Sequence, residues 1–239
     1  MMLRTAFWYG VGWSYLILTS PMMLIAKFFD VQKKYSARDI FVSLFTRHLA
    51  RFLFYLTGSS LNVTGMENVP RDQPVLFVSN HQGHLDNAVI HGFIDVQKGF
   101  FSIVEAQKIP VLSSWMNHMQ CIFLDRGNLR QTAGCINQGI QLLKSGHSMI
   151  IFPEGKLSDS NTVGEFKGNY VRIAAKAGVS IIPISLKNTY KGISKDGSRI
   201  RPAAVECIIS SAIPTKNLEK EDTEKLSQEI REIIIRNAF

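Results

Sequence analysis

Short runs of β-branched and aromatic residues alternate, from residue 61 onward, with segments whose apolar residues recur every three or four positions. Alternation of strand and helix patterns predicts βαβ units around a parallel sheet. We therefore expect an α/β fold with a mostly parallel central sheet flanked by helices. The seven predicted strands are 61–64, 75–79, 100–104, 121–124, 149–152, 181–186 and 205–209.

Three segments between or after these strands carry a helical apolar period. The first, 129–143, ends at Lys144 and Gly146, which are typical of a helix C-terminus. The second, 170–177, is followed by Gly178, and the third is the charged segment 218–235. No repeat or linker divides residues 61–239, so we predict one globular domain, 58–239, preceded by membrane-associated helices in 1–57.

The N-terminal stretch has no charged residue between Arg4 and Lys27. At 1.5 Å per residue, a helix of this length approaches the roughly 30 Å hydrocarbon core of a bilayer. Pro21 should kink or end that helix. A signal peptide is a poorer fit because Leu18-Thr-Ser-Pro21 does not offer the A-x-A pattern of small residues before a cleavage site. Basic residues mark the expected cytoplasmic side, and four follow this stretch: Lys27, Lys33, Lys34 and Arg38.

A second helix is predicted over 40–57, where Ser43, Arg47 and Arg51 recur at a spacing of four opposite apolar residues. Such a helix can lie in the headgroup plane, with its arginines on anionic lipid phosphates. The two N-terminal helices would then form a membrane-embedded pair. The alternative is that 40–57 is a core helix packed on the globular domain.

Charge and cysteine content narrow the possible partners. A net charge of +8 favours an anionic partner, which could be nucleic acid, a phosphate-bearing substrate or an acidic lipid surface. The sequence has no Lys/Arg stripe interleaved with aromatics, so we expect no nucleic-acid partner. The three cysteines form no C-x-x-C pair, which fits buried core residues of a protein in a reducing compartment.

Candidate chemistry follows three of the predicted strands. His81 and Asp86 follow the second, Asp125-Arg126-Gly127 the fourth, and Pro153-Glu154-Gly155-Lys156 the fifth. Ligand sites of open α/β sheets gather at the carboxyl ends of strands, so we expect the three clusters to share one cleft. Main-chain N–H groups of 82–86, and those after Gly155, could receive an oxyanion or phosphate there.

A histidine five residues before an aspartate can act as a general base while the carboxylate holds its other ring nitrogen. Neither serine nor cysteine lies close enough in the sequence to be named as a nucleophile for His81, so the substrate should supply the hydroxyl. His84 could form a metal site with His81 and Asp86. Because further Cys or His at ligand spacing is missing nearby, we predict no metal, and interpret His84 as a packing or substrate-entrance residue.

Four blocks of the sequence resemble the glycerolipid acyltransferase family between about residues 61 and 214. They are Asn80-His-Gln-Gly-His-Leu-Asp86, Phe123-Leu-Asp-Arg126, Phe152-Pro-Glu-Gly155 and Ile182-Pro-Ile184. The resemblance implies acyl transfer from a thioester, acyl-CoA or acyl-carrier protein, to the free hydroxyl of lysophosphatidic acid, which gives phosphatidic acid. It implies no cofactor besides this donor substrate.

The resemblance also implies roles for individual residues. His81 and Asp86 are catalytic, whereas Arg126, Glu154 and Gly155 bind the glycerol phosphate, and Lys167 fits a family lysine near the phosphate. A phosphate dianion would repel Glu154, so we expect that side chain to orient Arg126 or a glycerol hydroxyl.

The sequence departs from the family at three positions. Lys156-Leu-Ser replaces a usual Thr-Arg-Ser, so Lys156 should carry that positive charge. Ile103 stands in place of a lysine, and Gln120 in place of a glycine. We expect these differences to affect the preference for acceptor and acyl donor more than the transferase activity itself.

Three alternatives remain open at this stage. The acceptor could be glycerol 3-phosphate or another lysophospholipid, or the enzyme could be a hydrolase in which His81 activates water. The chain could also be a non-catalytic membrane-binding protein. In the acyltransferase interpretation, we expect it at the cytoplasmic face of the cell membrane, in contact with anionic lipids.

Overall fold

The computed structural model describes residues 2–125, 127–158, 160–167, 169–216, 218 and 222–238. All seven predicted strands are present, and their ends lie within two residues of the prediction. Their bounds are β1 Ser60–Thr64, β2 Val75–Ser79, β3 Lys98–Ile103, β4 Ile122–Leu124, β5 Ser148–Ile151, β6 Ser180–Lys187 and β7 Ala204–Ile209.

The strands form one sheet in the order β1-β7-β6-β2-β5-β3-β4. Five neighbouring strands, β6, β2, β5, β3 and β4, run parallel to one another. β7 is antiparallel to β6, and β1 is parallel to β7. The prediction of a mostly parallel sheet is therefore confirmed. β2 lies between β5 and β6 and is buried along its whole length, so it is a central strand.

The helices are α1 Met2–Thr19, α2 Met23–Val31, α3 Tyr35–Leu56, α4 Leu85–Phe93, α5 Leu112–His118, α6 Leu129–Lys144, α7 Asn169–Ala177 and α8 Asp222–Ala238. The three helices predicted after residue 61 correspond to α6, α7 and α8. Side chains of β2 alternate between two core layers, because successive strand residues point to opposite faces. Phe77 joins the layer that contains α4, whereas Leu76 and Val78 join the layer that contains α7 and α8. All three cysteines are free and buried, as predicted.

Pro21 lies in a short 3-10 helix, Ser20–Met22, which separates α1 from α2. The predicted interruption at this proline is therefore confirmed. Among the described residues, the helical stretch Met2–Val31 is the one long and apolar enough to cross a membrane, and little of it is buried. Many of its apolar side chains are exposed, including Phe7, Trp13, Ile17, Leu18, Leu24, Ile25 and Phe28.

The other side of α1 is attached to the domain by hydrogen bonds. Trp8 Nε1 donates to the Leu53 carbonyl of α3 at 2.9 Å. Tyr9 Oη donates to the Gly197 carbonyl at 3.0 Å, and the Ile200 N–H donates to Thr5 Oγ1 at 3.1 Å. Gly197 and Ile200 belong to a segment between β6 and β7, which we call the 193–200 loop. α1 therefore contacts both α3 and this loop.

α3 packs on the globular domain, which was the alternative interpretation of segment 40–57. Phe54 on this helix is part of the α4 core layer. Arg47 forms an ion pair with Asp95, and Arg51 donates from Nε to the Gly92 carbonyl at 2.5 Å. The two arginines therefore contact α4 and the residues just after it. The domain boundary at residues 57 and 58 stays a prediction.

Candidate active site

The turn after β2 places His81 at the carboxyl edge of the sheet. Asn80 is fully buried, and its side chain exchanges two hydrogen bonds with the main chain of Leu186 on β6, at 2.8 and 2.9 Å. This side-chain pairing ends the strand at a defined position. The chain then turns into α4, so that His81 follows the strand directly and Asp86 lies in the first helical turn.

His81 and Asp86 form a hydrogen-bonded pair. The Nδ1 and Oδ2 atoms are 2.7 Å apart, and the Gly83 N–H donates to the same carboxylate oxygen at 2.9 Å. Asp86 is fully buried, whereas 18% of the His81 side chain is exposed. A carboxylate oxygen only accepts, so Nδ1 carries the proton and the lone pair is on Nε2. The pair thus has the geometry of a general base whose reactive nitrogen is Nε2.

Residues that follow β5 hold the main chain and the ring of His81. The His81 N–H donates to Glu154 Oε1 at 2.8 Å, and its carbonyl accepts from the Ser158 N–H at 2.9 Å. The imidazole stacks on the Phe152 ring, with centroids 4.0 Å apart. β5 is the neighbour of β2 in the sheet, so the first and third sequence blocks meet here. We call the segment from Pro153 to Lys167 the 153–167 loop.

Both oxygens of the Glu154 carboxylate accept hydrogen bonds from main-chain N–H groups. Only 4% of the residue is exposed, and its second oxygen, Oε2, accepts from the Gly164 N–H at 2.9 Å. Burial raises the pKa of the Glu154 carboxyl, while the N–H groups of His81 and Gly164 oppose that rise. Sequence reasoning assigned Glu154 to orienting Arg126 or a glycerol hydroxyl, and that role stays a prediction. Its contacts in the structure are with the main chain of His81 and Gly164.

The other predicted site residues of the third block lie on the same loop. Gly155 has a φ of +71°, a conformation that favours glycine, and its N–H donates to the Phe152 carbonyl at 3.1 Å. Lys156 and Lys167 are exposed, and the Lys167 N–H closes the loop onto the Pro153 carbonyl at 3.1 Å. Both side chains are therefore exposed on the loop that contacts His81.

The second block follows β4, which is an edge strand separated from β5 by β3. Arg126 lies outside the described residues. Asp125 next to it accepts the Gly127 N–H at 2.9 Å, which is a local turn contact. His84 is exposed, and its Nε2 lies 2.9 Å from the Lys195 carbonyl in the 193–200 loop. Its role as a packing or substrate-entrance residue stays a prediction.

Two further residues were missed by sequence reasoning. Phe152 was read as part of a strand, although its ring supports His81. Gln82 is fully buried, with Oε1 accepting from Thr189 Oγ1 and Nε2 donating to Asn161 Oδ1, both at 3.3 Å. It therefore joins the His81 turn to segments on either side. Its position between His81 and Gly83 was the only signal for this role in the sequence, because its partners Asn161 and Thr189 are distant along the chain.

Two main-chain donors that were expected to receive an oxyanion already have acceptors. The Gly83 N–H is bound to Asp86, and the Ser158 N–H, which lies after Gly155, to the His81 carbonyl. The positive charges of Lys156 and Lys167 therefore remain the clearest anion-binding groups among the described residues of this loop.

A mostly parallel α/β sheet that carries a histidine–aspartate pair at its carboxyl edge, with the histidine partly exposed, is the arrangement expected of an enzyme that uses general base catalysis. The 153–167 loop contacts the main chain of that histidine through Glu154 and Ser158. The chain belongs to the Acyltransferase family, whose model matches residues 60–187. The resemblance inferred from the four sequence blocks is thus confirmed.

Curated relatives and a solved structure agree with this assignment. A probable 1-acyl-sn-glycerol-3-phosphate acyltransferase of Mycoplasma pneumoniae is 28% identical over 195 residues, which are 80% of this chain and 72% of the relative. A 1-acyl-sn-glycerol-3-phosphate acyltransferase of Borreliella burgdorferi is also 28% identical, and the match covers 80% of this chain and 76% of that protein. The crystal structure of the 1-acyl-sn-glycerophosphate (LPA) acyltransferase PlsC from Thermotoga maritima has a TM-score of 0.86 and 27% identity. The aligned region covers 99% of this chain and 93% of the Thermotoga maritima chain.

Proposed function

We propose that this protein transfers an acyl group from acyl-CoA or acyl-carrier protein to the sn-2 hydroxyl of 1-acyl-sn-glycerol 3-phosphate, forming phosphatidic acid. The observation that carries the proposal is the His81–Asp86 pair, whose Nδ1 is held by a buried carboxylate while the ring is partly exposed. The relatives named above are 1-acyl-sn-glycerol-3-phosphate acyltransferases, which supports lysophosphatidic acid as the acceptor.

The proposed reaction needs one base and no covalent enzyme intermediate. Nε2 of His81 takes the proton of the acceptor hydroxyl as its oxygen attacks the thioester carbonyl carbon. The tetrahedral intermediate then expels the thiolate, which receives the proton from His81 and leaves as the free thiol. Asp86 stabilises the imidazolium that forms between these two steps.

Exposed lysines on the 153–167 loop support a phosphate-bearing acceptor. Lys156 and Lys167 lie on the loop that holds His81, so a phosphate bound there places a neighbouring hydroxyl near the base. Arg126, by resemblance to the family, would add a third cation with a guanidinium suited to phosphate.

The decisive experiment supplies purified protein with mixed acyl thioesters and identifies the products by mass. Lysophosphatidic acid, glycerol 3-phosphate and lysophosphatidylcholine are compared as acceptors, with acyl-CoA and acyl-carrier protein as donors. We expect phosphatidic acid from lysophosphatidic acid, and a loss of roughly 100-fold or more in His81→Ala. Free fatty acid formed without an acceptor would identify a hydrolase instead. Near-normal transfer by a folded His81→Ala protein would refute the mechanism.

We also propose that the protein works at the cytoplasmic face of the cell membrane, anchored by α1 and α2. The exposed apolar side chains of Met2–Val31 support insertion into the bilayer. The basic residues after this stretch favour contact with anionic lipids on the cytoplasmic side. A cytoplasmic site would also give access to the thioester donors.

Membrane binding is tested by substitution rather than by deleting residues 1–57, because Phe54 belongs to the domain core. A triple variant, Leu18→Glu, Leu24→Glu and Phe28→Glu, changes side chains that are exposed. We expect this variant to stay in the supernatant when vesicles of phosphatidylglycerol and phosphatidylcholine are sedimented, whereas the wild-type protein sediments with them. Its fold should be retained. Unchanged sedimentation would place the anchor elsewhere.

A further inference from the structure

Arg231 on α8 reaches the loop that holds the catalytic histidine, although it lies 44 residues beyond the matched family segment 60–187. We propose that Arg231 is a positioning residue for acyl transfer. In this proposal it orients Glu154 through one peptide group, and Glu154 in turn holds the main chain of His81. The inference rests on the proposed function, because the reaction that His81 performs is the one proposed above.

The guanidinium of Arg231 makes two hydrogen bonds to consecutive carbonyls of the 153–167 loop. Nη2 donates to the Val163 carbonyl at 2.9 Å, and Nε donates to the Gly164 carbonyl at 2.7 Å. The Val163 carbonyl and the Gly164 N–H belong to the same peptide group. That N–H donates to Glu154 Oε2 at 2.9 Å. A cation and a carboxylate are therefore linked across a single peptide group.

The opposite side of Glu154 has a matching arrangement. Oε1 accepts the His81 N–H at 2.8 Å, and this N–H shares its peptide group with the Asn80 carbonyl. Ser79 Oγ donates to that carbonyl at 3.1 Å. Hydrogen bonds in such chains polarise one another, so a donor on the carbonyl strengthens the N–H as a donor. Each of the two N–H groups that donate to Glu154 is thus strengthened by a hydrogen bond to the carbonyl of its own peptide group. For the Gly164 N–H, that hydrogen bond comes from the positively charged Arg231.

A buried carboxylate needs this support. Removing a charge from water is costly unless hydrogen bonds and opposite charge compensate for it. Glu154 is 4% exposed, and its two oxygens receive main-chain N–H groups from two different segments. Arg231 supplies positive charge one peptide group away from this carboxylate, without a direct contact to it. The carboxylate can then remain a fixed acceptor for the His81 N–H.

The geometry around Gly164 leaves little freedom for the linking peptide. A Cβ atom at this position would lie 2.9 Å from Glu154 Oε2, which is closer than real side chains come. α8 itself is well anchored, since its neighbouring residues Ile230 and Ile234 are fully buried. The Ser227 carbonyl on the same helix accepts a hydrogen bond from Tyr170 Oη at 3.2 Å. Arg231 therefore projects from a rigid support.

The test compares Arg231→Ala, Arg231→Lys and a matched control, Arg236→Ala, which removes an exposed arginine from the same helix. We expect Arg231→Ala to lower kcat by roughly ten- to a hundredfold, because small misplacements of a base have effects of this size. Arg231→Lys should recover part of the loss, since an ammonium can donate to one of the two carbonyls. Arg236→Ala should retain wild-type kcat.

A double-variant comparison separates positioning from general stability. In a Glu154→Gln background, we expect Arg231→Ala to change kcat less than twofold, because the carboxylate through which it acts is already gone. An equal loss in both backgrounds would overturn the proposal, as would wild-type kcat in Arg231→Ala. If Arg231→Ala does not fold, the same cycle is run with Arg231→Lys. Gly164→Ala, which displaces the carboxylate without altering α8, should reproduce the kcat loss.

A readout that does not depend on turnover keeps this test distinct from the test of the proposed function. The ring nitrogen signals of His81, assigned by their loss in His81→Ala, are followed by NMR in the purified protein. We expect them to shift in Arg231→Ala and not in Arg236→Ala. If the wild-type enzyme forms no phosphatidic acid, the proposed function fails on that assay alone. Unshifted His81 signals in a folded Arg231→Ala protein would overturn the positioning role.

Discussion

The imidazole ring of His81 lies almost parallel to the phenyl ring of Phe152, with ring centroids 4.0 Å apart and ring planes inclined by 16°. The hydrogen bond to Asp86 fixes one nitrogen but leaves the ring free to tilt about that bond. Stacking on Phe152 restricts the tilt, and the two supports come from residues after adjacent strands, β2 and β5. The direction of Nε2 is therefore set by both contacts together.

Phe152→Leu should lower kcat while leaving the His81–Asp86 hydrogen bond in place. Ring pairs of this kind are worth about 0.5–1.5 kcal/mol, which corresponds to a loss of roughly two- to thirteenfold if all of it positions the base. The measurement is kcat at saturating donor and acceptor. Phe152→Tyr, which keeps the ring, is the control, and equal activity of the Leu and Tyr variants would contradict a role for stacking.

Asp86→Asn should reduce kcat by roughly 100-fold or more, because a neutral amide does not stabilise the imidazolium that forms during transfer, and its NH2 group would donate to Nδ1 when it faces the ring. The ring would then lose the tautomer that leaves the lone pair on Nε2. Turnover and the tautomer of His81, observed by nitrogen NMR, are measured together. Asp72→Asn, at an exposed position, is the control. Retained turnover with an altered tautomer would exclude this explanation.

Lys156→Gln and Lys167→Gln should each raise the KM for a phosphate-bearing acceptor, with little change in kcat. Hydrogen bonds to charged groups contribute about 1.5–3 kcal/mol, so the expected change is roughly tenfold or more for a lysine that contacts the phosphate. Lys176→Gln, an exposed position on α7, serves as the comparison. A lysine whose replacement leaves the acceptor KM unchanged does not bind the phosphate.

The pH dependence of stability should report on His91. Thr46 Oγ1 donates to the Val42 carbonyl, so it accepts the Nε2–H of His91 at 2.8 Å between α3 and α4. Burial, with repulsion from Lys98 and Arg47, holds the pKa of His91 well below its ordinary value of 6.5. The unfolded chain binds a proton near that ordinary value while the folded chain does not, so stability is lost as the pH falls below about 6.5.

Replacement of this histidine should flatten that dependence. In His91→Gln the free energy of unfolding should fall less steeply between pH 6.5 and lower values, by up to about 1.4 kcal/mol per pH unit. Denaturant titrations at several pH values measure the difference. His48→Gln, at an exposed position, controls for the loss of a histidine. Parallel curves for wild type and His91→Gln would contradict the expectation.

Gln120 occupies a left-handed backbone conformation, with φ of +60°, where the resembled family has glycine. Such a conformation costs a non-glycine residue about 1 kcal/mol or more, so Gln120→Gly should be neutral or stabilising. The side chain's contact with His147, 2.9 Å between nitrogens, would partly offset the gain. Thermal unfolding of Gln120→Gly and Gln120→Val is compared, and a glycine variant less stable than the valine variant would refute the argument.

Local patterns predicted most of the fold because strands and helices bury faces with different periods. The His81–Asp86 pair could also be predicted from the sequence, since the two residues lie only five positions apart. The contact between Glu154 and His81 spans 73 positions and depends on β5 lying beside β2, an order that the sequence does not encode locally. The basic face of α3 was ambiguous for another reason: an arginine pairs equally well with a lipid phosphate or with Asp95.

The 193–200 loop has contacts on both sides, with Tyr9 of α1 on one and His84, three residues after His81, on the other. A helix inserted in the cytoplasmic leaflet of the bilayer would therefore hold the reaction centre at the level of the lipid surface. An acceptor lipid could react there with its own acyl chain still among its neighbours. The reaction rate would then follow the mole fraction of acceptor in that leaflet rather than its concentration in the surrounding water.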